Sequence, residues 1–188
     1  MTKKTSHLVI LDRDGVINHD SDHYIRSVQE FRPLPRSIEA IAALSQAGFT
    51  VAIATNQSAI ARGYLPLSEL QAIHAQLLAE VRRHGGTIAS IQFCPHHPDQ
   101  SCLCRKPRTG MIDNIEKTLQ TSAVGAFFVG DSLCDIGAAR AAGCRPVVVR
   151  TGKGKKTIKQ SNKLQDTLIF NDLYDFSAFA IKDFSDVL

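Results

Sequence analysis

Two carboxylates stand two residues apart in the run Asp12-Arg13-Asp14-Gly15. Phosphoryl transfer needs a nucleophile, a cation that neutralises phosphate oxygens and a proton donor for the leaving alkoxide. Asp12 could attack phosphorus and also bind the cation, while Asp14 could serve as the acid and then as the base. Gly15 can adopt backbone dihedrals that other residues resist. By itself the pair also fits a surface turn or a cap, and neither acid is expected to be buried.

Later positions supply the other components of this chemistry. The hydroxyl of Thr55 can bond a phosphate oxygen, beside the backbone N–H groups of Asn56 and Gln57. Lys106 adds a cation, and Asp131 adds a carboxylate suited to Mg²⁺, which prefers oxygen ligands. Taken singly, Thr55 or Asp131 could be a helix N-cap and Lys106 a solvated charge. Together they favour one phosphoryl-transfer site.

A second cluster of ligand-type side chains lies in the segment 94–104. It combines a Cys-x-His pair, Cys94 and His96, with a Cys-x-Cys pair, Cys102 and Cys104. Thiolate and imidazole ligands in a set of four suit tetrahedral Zn²⁺, and without a fifth ligand the site would be closed and structural. The alternatives are a loop with unrelated reduced thiols, or a site that uses His97 in place of His96.

The elements that must position these residues show a regular alternation along the chain. Strands that alternate with helices predict a parallel sheet covered by helices on both faces. Ligands bind such sheets beyond the carboxyl ends of the strands, where the strand order reverses, and the polar residues above follow strand ends. Ser68 is the predicted N-cap of the second helix. Strands are predicted at 6–11, 50–54, 88–93, 126–129, 146–149 and 168–170, and helices at 36–47, 68–84, 111–119 and 132–142.

Size and composition describe a soluble globular protein. The chain has 188 residues, of which 44% are hydrophobic and 21% charged, and this predicts a single domain over 1–188 that needs no disulfides. No apolar run is long enough to span a membrane, and the apolar stretch after the basic start is too short for a signal peptide. We therefore expect a cytoplasmic monomer that binds neither membrane nor nucleic acid.

Positive charge is concentrated in the segment 153–163, which contains Lys153, Lys155, Lys156, Lys159 and Lys163. The segment is typical of a solvated, mobile loop, although it could also contact an anionic substrate or nucleic acid.

The cysteines outside the segment 94–104, which is called the zinc loop below, have a different expected role. In a reducing compartment they should not form disulfides. Cys134 and Cys144 are therefore predicted to be small buried hydrophobic residues.

Four short motifs together resemble those of the haloacid dehalogenase phosphatases: Asp12-x-Asp14-Gly15, Thr55-Asn56-Gln57, Lys106-Pro107 and Gly130-Asp131-x-x-x-Asp135. The resemblance implies a Rossmann-like fold and a phospho-aspartyl intermediate on Asp12. It implies that Asp12, the main-chain carbonyl of Asp14 and Asp131 bind Mg²⁺, and that Asp14 is the general acid and base. Thr55 and Lys106 would steady the phosphoryl group. The last acid of the fourth motif would order the acidic cluster.

The zinc loop followed by Cys104-Arg105-Lys106-Pro107 resembles a narrower group, the small zinc-containing phosphatases of heptose bisphosphate or histidinol phosphate. The run 55–64 is more similar to the D-glycero-D-manno-heptose 1,7-bisphosphate 7-phosphatases. Ala59 stands where those proteins usually carry Gly, and Val16 where they carry Thr. The similarity implies release of the 7-phosphate in the biosynthesis of nucleotide-activated heptose, a lipopolysaccharide core precursor. No insertion between the motifs is large enough for a cap domain.

A sugar bisphosphate needs contacts beyond the reacting phosphate. Arg105 is the best candidate for a cationic anchor of the second phosphate, with Arg62 as the alternative. Asp20 and Tyr24 resemble positions that contact the sugar. The remaining predicted substrate-binding residues belong to the second motif: Asn56, Gln57 and Ser58.

Three other functions stay open on the sequence. A histidinol-phosphate phosphatase is the nearest alternative. A phosphorylation-receiver domain also uses clustered acids, Mg²⁺, a Thr and a Lys on a parallel sheet, but it accepts phosphate on an Asp after its third strand, where this chain has cysteines. A catalytically idle zinc protein could bind partners or nucleic acid through the lysine-rich segment.

Overall fold

The computed structural model describes residues 7–160 and 164–185. Ser6, at the start of the first predicted strand, and Lys163 of the lysine-rich segment lie outside the described residues. The strands are β1 (Leu8–Leu11), β2 (Thr50–Asn56), β3 (Ser90–Cys94), β4 (Phe127–Gly130), β5 (Arg145–Val149) and β6 (Leu168–Phe170). The helices are α1 (Ser37–Gln46), α2 (Leu67–Arg83), α3 (Gly110–Leu119), α4 (Leu133–Ala141), α5 (Gly154–Gln160) and α6 (Leu173–Ser185), with a 3-10 helix at Val28–Glu30.

The six strands form one parallel sheet in the order β3-β2-β1-β4-β5-β6. Val9 of β1 pairs with Val51 of β2 on one side and with Phe127 of β4 on the other. The strand order reverses between β1 and β4, so a crevice opens beyond the carboxyl ends of these two strands. The predicted α/β fold is confirmed.

Alternation of side chains along the strands divides the core into two layers. Val9 and Leu11 of β1 belong to a buried cluster that includes residues of α1, α2 and α6. Leu8 and Ile10 belong to a second cluster, which includes residues of α3 and α4. Because both faces of the sheet are covered, β1 consists entirely of buried apolar residues up to the polar residues of the crevice.

One predicted helix cap is wrong. Helix α2 begins at Leu67, and Pro66 is its N-cap residue, so Ser68 already lies inside the helix. Pro66 has extended backbone dihedrals, φ −60° and ψ 145°, which start the helix without a side-chain cap. Strand β2 is also longer than predicted, because Thr55 and Asn56 belong to it.

Helices α5 and α6 are absent from the predicted elements. The lysine-rich segment is helical over 154–160, which corrects the expectation of a loop there. Its buried residues, Gly154 and Thr157, are too few to produce a readable apolar stripe. Helix α6 does carry one, because buried Leu173, Phe176 and Ala180 recur at helical spacing.

The long connection from β1 to α1 borders the crevice. It contains turns, isolated bridges and the 3-10 helix Val28–Glu30, and no separate cap domain occurs in this described stretch. In the part of the chain that the structure describes, no helix combines the length and apolarity needed to cross a membrane.

Candidate active site

A polar cleft of about 380 Å³ lies at the crevice between β1 and β4. The backbone N–H of Asp12 donates to the carbonyl oxygen of Val129 at 2.8 Å, which holds Asp12 against β4. Every residue predicted to be catalytic or to bind substrate lines this cleft: Asp12, Asp14, Asp20, Tyr24, Thr55, Asn56, Gln57, Ser58, Arg105 and Lys106. Asp131 and the alternative anchor Arg62 also line it.

The side chain of Lys106 is bound entirely by protein acceptors. Its Nζ atom lies 2.9 Å from Asp12 Oδ1, 2.7 Å from Asp135 Oδ1 and 2.8 Å from the carbonyl oxygen of Ala54. Three protein oxygens therefore surround the ammonium group. Burial lowers the pKa of Lys106, but the two carboxylates outweigh it and raise the pKa above its ordinary value. Lys106 therefore acts as the counterion of Asp12. Asp12 is only 9% exposed, contrary to expectation.

Asp14 accepts hydrogen bonds from three side chains. Arg13 Nη2 lies 2.9 and 3.0 Å from its two carboxylate oxygens, Asn18 Nδ2 donates at 2.9 Å and Gln57 Nε2 at 2.7 Å. Burial opposes the charge of Asp14, but Arg13 and these donors outweigh it and lower the pKa of Asp14. Arg13 and Asn18 were not predicted as site residues, because the sequence does not indicate that they are buried.

The second motif is held by its own hydrogen bonds. Gln57 Nε2 also donates to Thr55 Oγ1 at 2.9 Å. The side chain of Asn56 pairs with the main chain of Lys106, accepting its N–H at 3.1 Å and donating to its carbonyl at 3.3 Å. The backbone N–H of Gln57 donates to the carbonyl of Cys94 at 2.8 Å. This N–H is therefore already paired within the protein.

Three carboxylates converge beside Lys106. Oxygen atoms of Asp12, Asp131 and Asp135 lie within 4.8 Å of one another. Burial, with Asp135 adding to it, raises the pKa of Asp131 to about 7, and burial raises the pKa of Asp12 well above its ordinary value. One ammonium cannot neutralise three buried carboxylates, whereas a divalent cation would restore the balance, and oxygen ligands suit Mg²⁺. The residues present therefore fit such a cation.

Asp135 fixes the start of α4 and one side of this cluster. Its Oδ2 atom accepts hydrogen bonds from the N–H of Asp131 at 3.2 Å, the N–H of Ser132 at 3.0 Å and the hydroxyl of Ser132 at 2.6 Å. Asp135 and Ser132 together form a capping box. Since its other oxygen binds Lys106, Asp135 orders the acidic cluster, in agreement with the role that the sequence predicts.

The segment after β5 belongs to the site but was not predicted. Thr151 Oγ1 donates to the carbonyl of Gly15 at 2.7 Å, and the N–H of Lys153 donates to Asp131 Oδ2 at 2.7 Å. Lys153 Nζ lies 3.0 Å from Asp20 Oδ2. Its position in the sequence could have indicated it, because this segment follows the carboxyl end of a parallel strand, as the other site segments do.

Two glycines allow the backbone to approach Asp131 closely. Gly15 has φ +83° and Gly152 has φ +53°, in the left-handed region that favours glycine. A Cβ atom at either position would collide with the carboxylate of Asp131. The glycine of the first motif is therefore required both for its dihedrals and for space.

The predicted zinc ligands come together as one cluster. His96 Nδ1 lies 3.6 Å from Cys94 Sγ and 3.2 Å from Cys104 Sγ, and the Sγ atoms of Cys94 and Cys102 are 3.6 Å apart. Zn–S bonds of about 2.3 Å at tetrahedral angles would separate ligand atoms by about 3.5 to 3.8 Å. Burial and the neighbouring thiols raise the pKa of Cys104 to about 12. Adjacent thiolates thus need a cation, and the set fits Zn²⁺; His97 is not part of it.

Arg105, at the end of the zinc loop, lines the cleft with an unsatisfied group. Its Nη1 atom is buried and has no hydrogen-bond partner among the described residues. A buried donor without a partner costs free energy that a bound anion would recover. This guanidinium is therefore suited to hold an anionic group of a ligand.

The cysteines outside the zinc cluster differ from each other. Cys144 is 7% exposed and buried as predicted. Cys134 is exposed and lines the cleft, so the prediction of a buried hydrophobic residue is wrong for it. The reason is that Cys134 lies in the first turn of α4, on the side of the cleft.

Known proteins resemble this chain closely. The HAD-hydrolase-like family model matches residues 103–176. The D-glycero-beta-D-manno-heptose-1,7-bisphosphate 7-phosphatase of Pseudomonas putida is 54% identical over 88% of this chain and 94% of its own length. That of Pseudomonas aeruginosa is 55% identical over 88% and 93%. The crystal structure of D,D-heptose 1,7-bisphosphate phosphatase from B. bronchiseptica, complexed with magnesium and phosphate, has a TM-score of 0.90 at 43% identity and covers 94% of this chain and 98% of that one.

Proposed function

Because the chain belongs to the family of the D-glycero-D-manno-heptose 1,7-bisphosphate 7-phosphatases, we propose that it releases the 7-phosphate of that sugar. The observation that supports this most is the position of Asp12 in the cleft, against Lys106 and within 4.8 Å of two further carboxylates. The relatives are named for the β-anomer, and we propose the same preference here. Membership of this family excludes the receiver-domain alternative.

The first step transfers the phosphoryl group to Asp12. A carboxylate oxygen of Asp12 forms a bond to phosphorus while the bond from phosphorus to the O7 oxygen of the sugar breaks. Asp14 donates a proton to O7, so the sugar leaves as an alcohol. The pKa of Asp14 is low in the substrate-free protein, and the charge of a bound phosphate opposes its ionised form, which favours protonation when the substrate is present.

The second step restores Asp12. A water molecule gives a proton to Asp14 while its oxygen bonds to phosphorus, and the bond between phosphorus and Asp12 breaks. Inorganic phosphate leaves, and Asp14 is again protonated for the next cycle. Thr55, which is 1% exposed at the edge of the cleft, is suited to hold an oxygen of the phosphoryl group through its hydroxyl.

A divalent cation such as Mg²⁺ belongs to the proposed site. Asp12, Asp131 and the main-chain carbonyl of Asp14 would hold it. When bound, it neutralises the oxygens of the phosphoryl group and the excess carboxylate charge. Asp135 is the other nearby acid, but its contacts with Lys106 and Ser132 leave it as a support for the cluster.

The remaining lining residues suit the rest of the substrate. Arg105 has a buried nitrogen without a protein partner and is proposed to hold the 1-phosphate. Asp20 and Tyr24 are proposed to contact the sugar, with Ser58 and Asn56 bordering the reacting phosphate. The single domain over 1–188, the monomeric state, the cytoplasmic location and the absence of nucleic-acid binding stay predictions.

Phosphorus NMR of the reaction mixture tests this function. With D-glycero-β-D-manno-heptose 1,7-bisphosphate as substrate, the signal of the 7-phosphate should disappear while that of the anomeric 1-phosphate stays. Asp12→Asn should abolish turnover and leave the fold intact, as measured by circular dichroism. Histidinol phosphate is the competing substrate, and a higher kcat/KM for it would overturn the proposal. Full turnover by Asp12→Asn would instead exclude Asp12 as the nucleophile, whereas no turnover of either substrate by the wild type would favour the idle zinc protein.

A further inference from the structure

The side chain of Lys153 reaches Asp20 at the edge of the cleft. The distance from Lys153 Nζ to Asp20 Oδ2 is 3.0 Å, and both residues line the cleft. The lysine side chain is 54% exposed and that of Asp20 19% exposed. The other oxygen of Asp20 accepts the N–H of Ser21 at 2.9 Å. Each carboxylate oxygen of Asp20 thus has a protein donor on one side, and its remaining lone pairs are available to a ligand.

The backbone of Lys153 is fixed to the centre of the site. Its N–H donates to Asp131 Oδ2 at 2.7 Å, and Thr157 Oγ1 donates to the carbonyl of Asp131 at 2.7 Å. Thr151 Oγ1 binds the carbonyl of Gly15 at 2.7 Å. The segment around Lys153 is therefore anchored to both the first and the fourth motif. A lysine on such a backbone can hold its partner in a defined position, although its head group faces solvent.

Charge explains why Asp20 needs this partner. A sugar bisphosphate is strongly anionic, and an isolated carboxylate in the cleft would repel it. A neutralised carboxylate can still accept hydrogen bonds from sugar hydroxyl groups. The nearby Lys155, Lys156 and Lys159 do not line the cleft. Of the described lysines in the segment 153–160, Lys153 is thus the one placed to neutralise Asp20.

We propose that Lys153 is a positioning residue for substrate specificity, which neutralises Asp20 and orients it to accept hydroxyl groups of the sugar. The inference rests on the proposed function and adds to it a residue outside the predicted site. It acts through Asp20 and not on the reacting phosphate, so it should affect binding of the sugar bisphosphate more than the chemical step.

Steady-state kinetics of four variants test the inference. Lys153→Met should raise KM for the heptose bisphosphate about tenfold and change kcat less than about twofold. Lys153→Arg keeps the positive charge and should have the KM of the wild type. Lys156→Met removes the same charge from an exposed position outside the cleft and is the matched control, with unchanged KM. With p-nitrophenyl phosphate, which has no sugar hydroxyl groups, Lys153→Met should match the wild type.

A double-mutant cycle assigns the effect to Asp20. In an Asp20→Asn background the side chain at position 20 is neutral and needs no counterion. Adding Lys153→Met should therefore change KM by less than about twofold. An unchanged KM in Lys153→Met alone, or an equal rise for both substrates, would overturn the inference while the proposed function stands. A preference of the wild-type protein for histidinol phosphate would overturn both the inference and the proposed function. That preference is measured on the wild type alone and requires no variant.

Discussion

Asp12 Oδ1 lies 2.9 Å from the ammonium nitrogen of Lys106. The two residues come from separate parts of the fold, because Asp12 follows β1 and Lys106 follows the zinc loop. Lys106 is 3% exposed, and its ammonium nitrogen also lies 2.8 Å from the carbonyl of Ala54 and 2.7 Å from Asp135 Oδ1. The lysine therefore holds and neutralises the proposed nucleophile, and the side chain of Asn56 holds the main chain of that lysine.

Replacing Lys106 by Met should remove most of the activity. The nucleophile would lose its counterion and its orientation, and the loss of one preorganised charge typically reduces kcat by about 10² to 10³. The metal-free variant should also lose about 3 kcal/mol of unfolding free energy, because Asp12 and Asp135 would be buried without a counterion. Phosphate release and urea unfolding measure the two effects. A kcat within twofold of the wild type would exclude the role given to Lys106.

The effect of a divalent cation on the melting temperature should depend on Asp131. The raised pKa of Asp131, about 7, means that its protonated form stabilises the metal-free protein at low pH and that this contribution is lost as pH rises through 7. At pH 8, metal-free Asp131→Asn should therefore melt above the metal-free wild type. Adding Mg²⁺ should raise the melting temperature of the wild type by several degrees, about 4 °C or more, and leave the variant unchanged. An equal response of both proteins to Mg²⁺ would place the cation elsewhere.

His74 should make the protein less stable in mild acid. Its ring lies 3.5 Å from Arg13 and is 9% exposed. Burial, and then the charge of Arg13, lowers the pKa of His74 to about 4. The unfolded chain thus binds a proton near pH 6.5 that the folded protein does not, and stability falls as pH drops from about 6.5 to 4, by up to about 3 kcal/mol.

The variant that tests this is His74→Gln, which cannot titrate in this range. Its unfolding free energy should vary less between pH 7 and pH 4.5 than that of the wild type, as measured by urea unfolding at each pH. His23→Gln removes an exposed histidine and should keep the slope of the wild type. If His74→Gln keeps that slope as well, His74 is not the group responsible.

The parts of the site that follow strand ends are those the sequence predicts well. Asp12, Thr55 and Asp131 each follow or end a buried apolar run, and parallel strands bring such ends to one edge of the sheet. The zinc ligands are predictable for a different reason, because their spacing within one short loop is local. The catalytic residues are thus predictable from their repeated position after strands, and the zinc ligands from their closeness in the sequence.

Contacts that arise from tertiary packing could not be predicted from the sequence. Arg13 is 0% exposed beside Asp14, although an arginine between two acids is typical of a solvated position. Lys153 lies in a glycine- and lysine-rich run with the composition of a mobile loop, and its importance comes from an anchor on Asp131. Cys134 is apolar in character but faces the cleft, because the direction of α4 decides which of its residues are buried.

Loss of zinc should weaken both the fold and the catalytic centre. Cys102 does not line the cleft, so Cys102→Ser should affect activity only through the loop that carries Arg105 and Lys106. We expect one Zn²⁺ per wild-type chain by elemental analysis, and a lower zinc content, melting temperature and kcat in the variant. Cys134→Ser removes an exposed cysteine outside the cluster and should retain the zinc content and melting temperature of the wild type. Wild-type protein that purifies without zinc and melts at the same temperature with and without a chelator would rule out a structural zinc site, and the position of Lys106 beside Asp12 would then depend on its contacts with Asn56, Ala54 and Asp135.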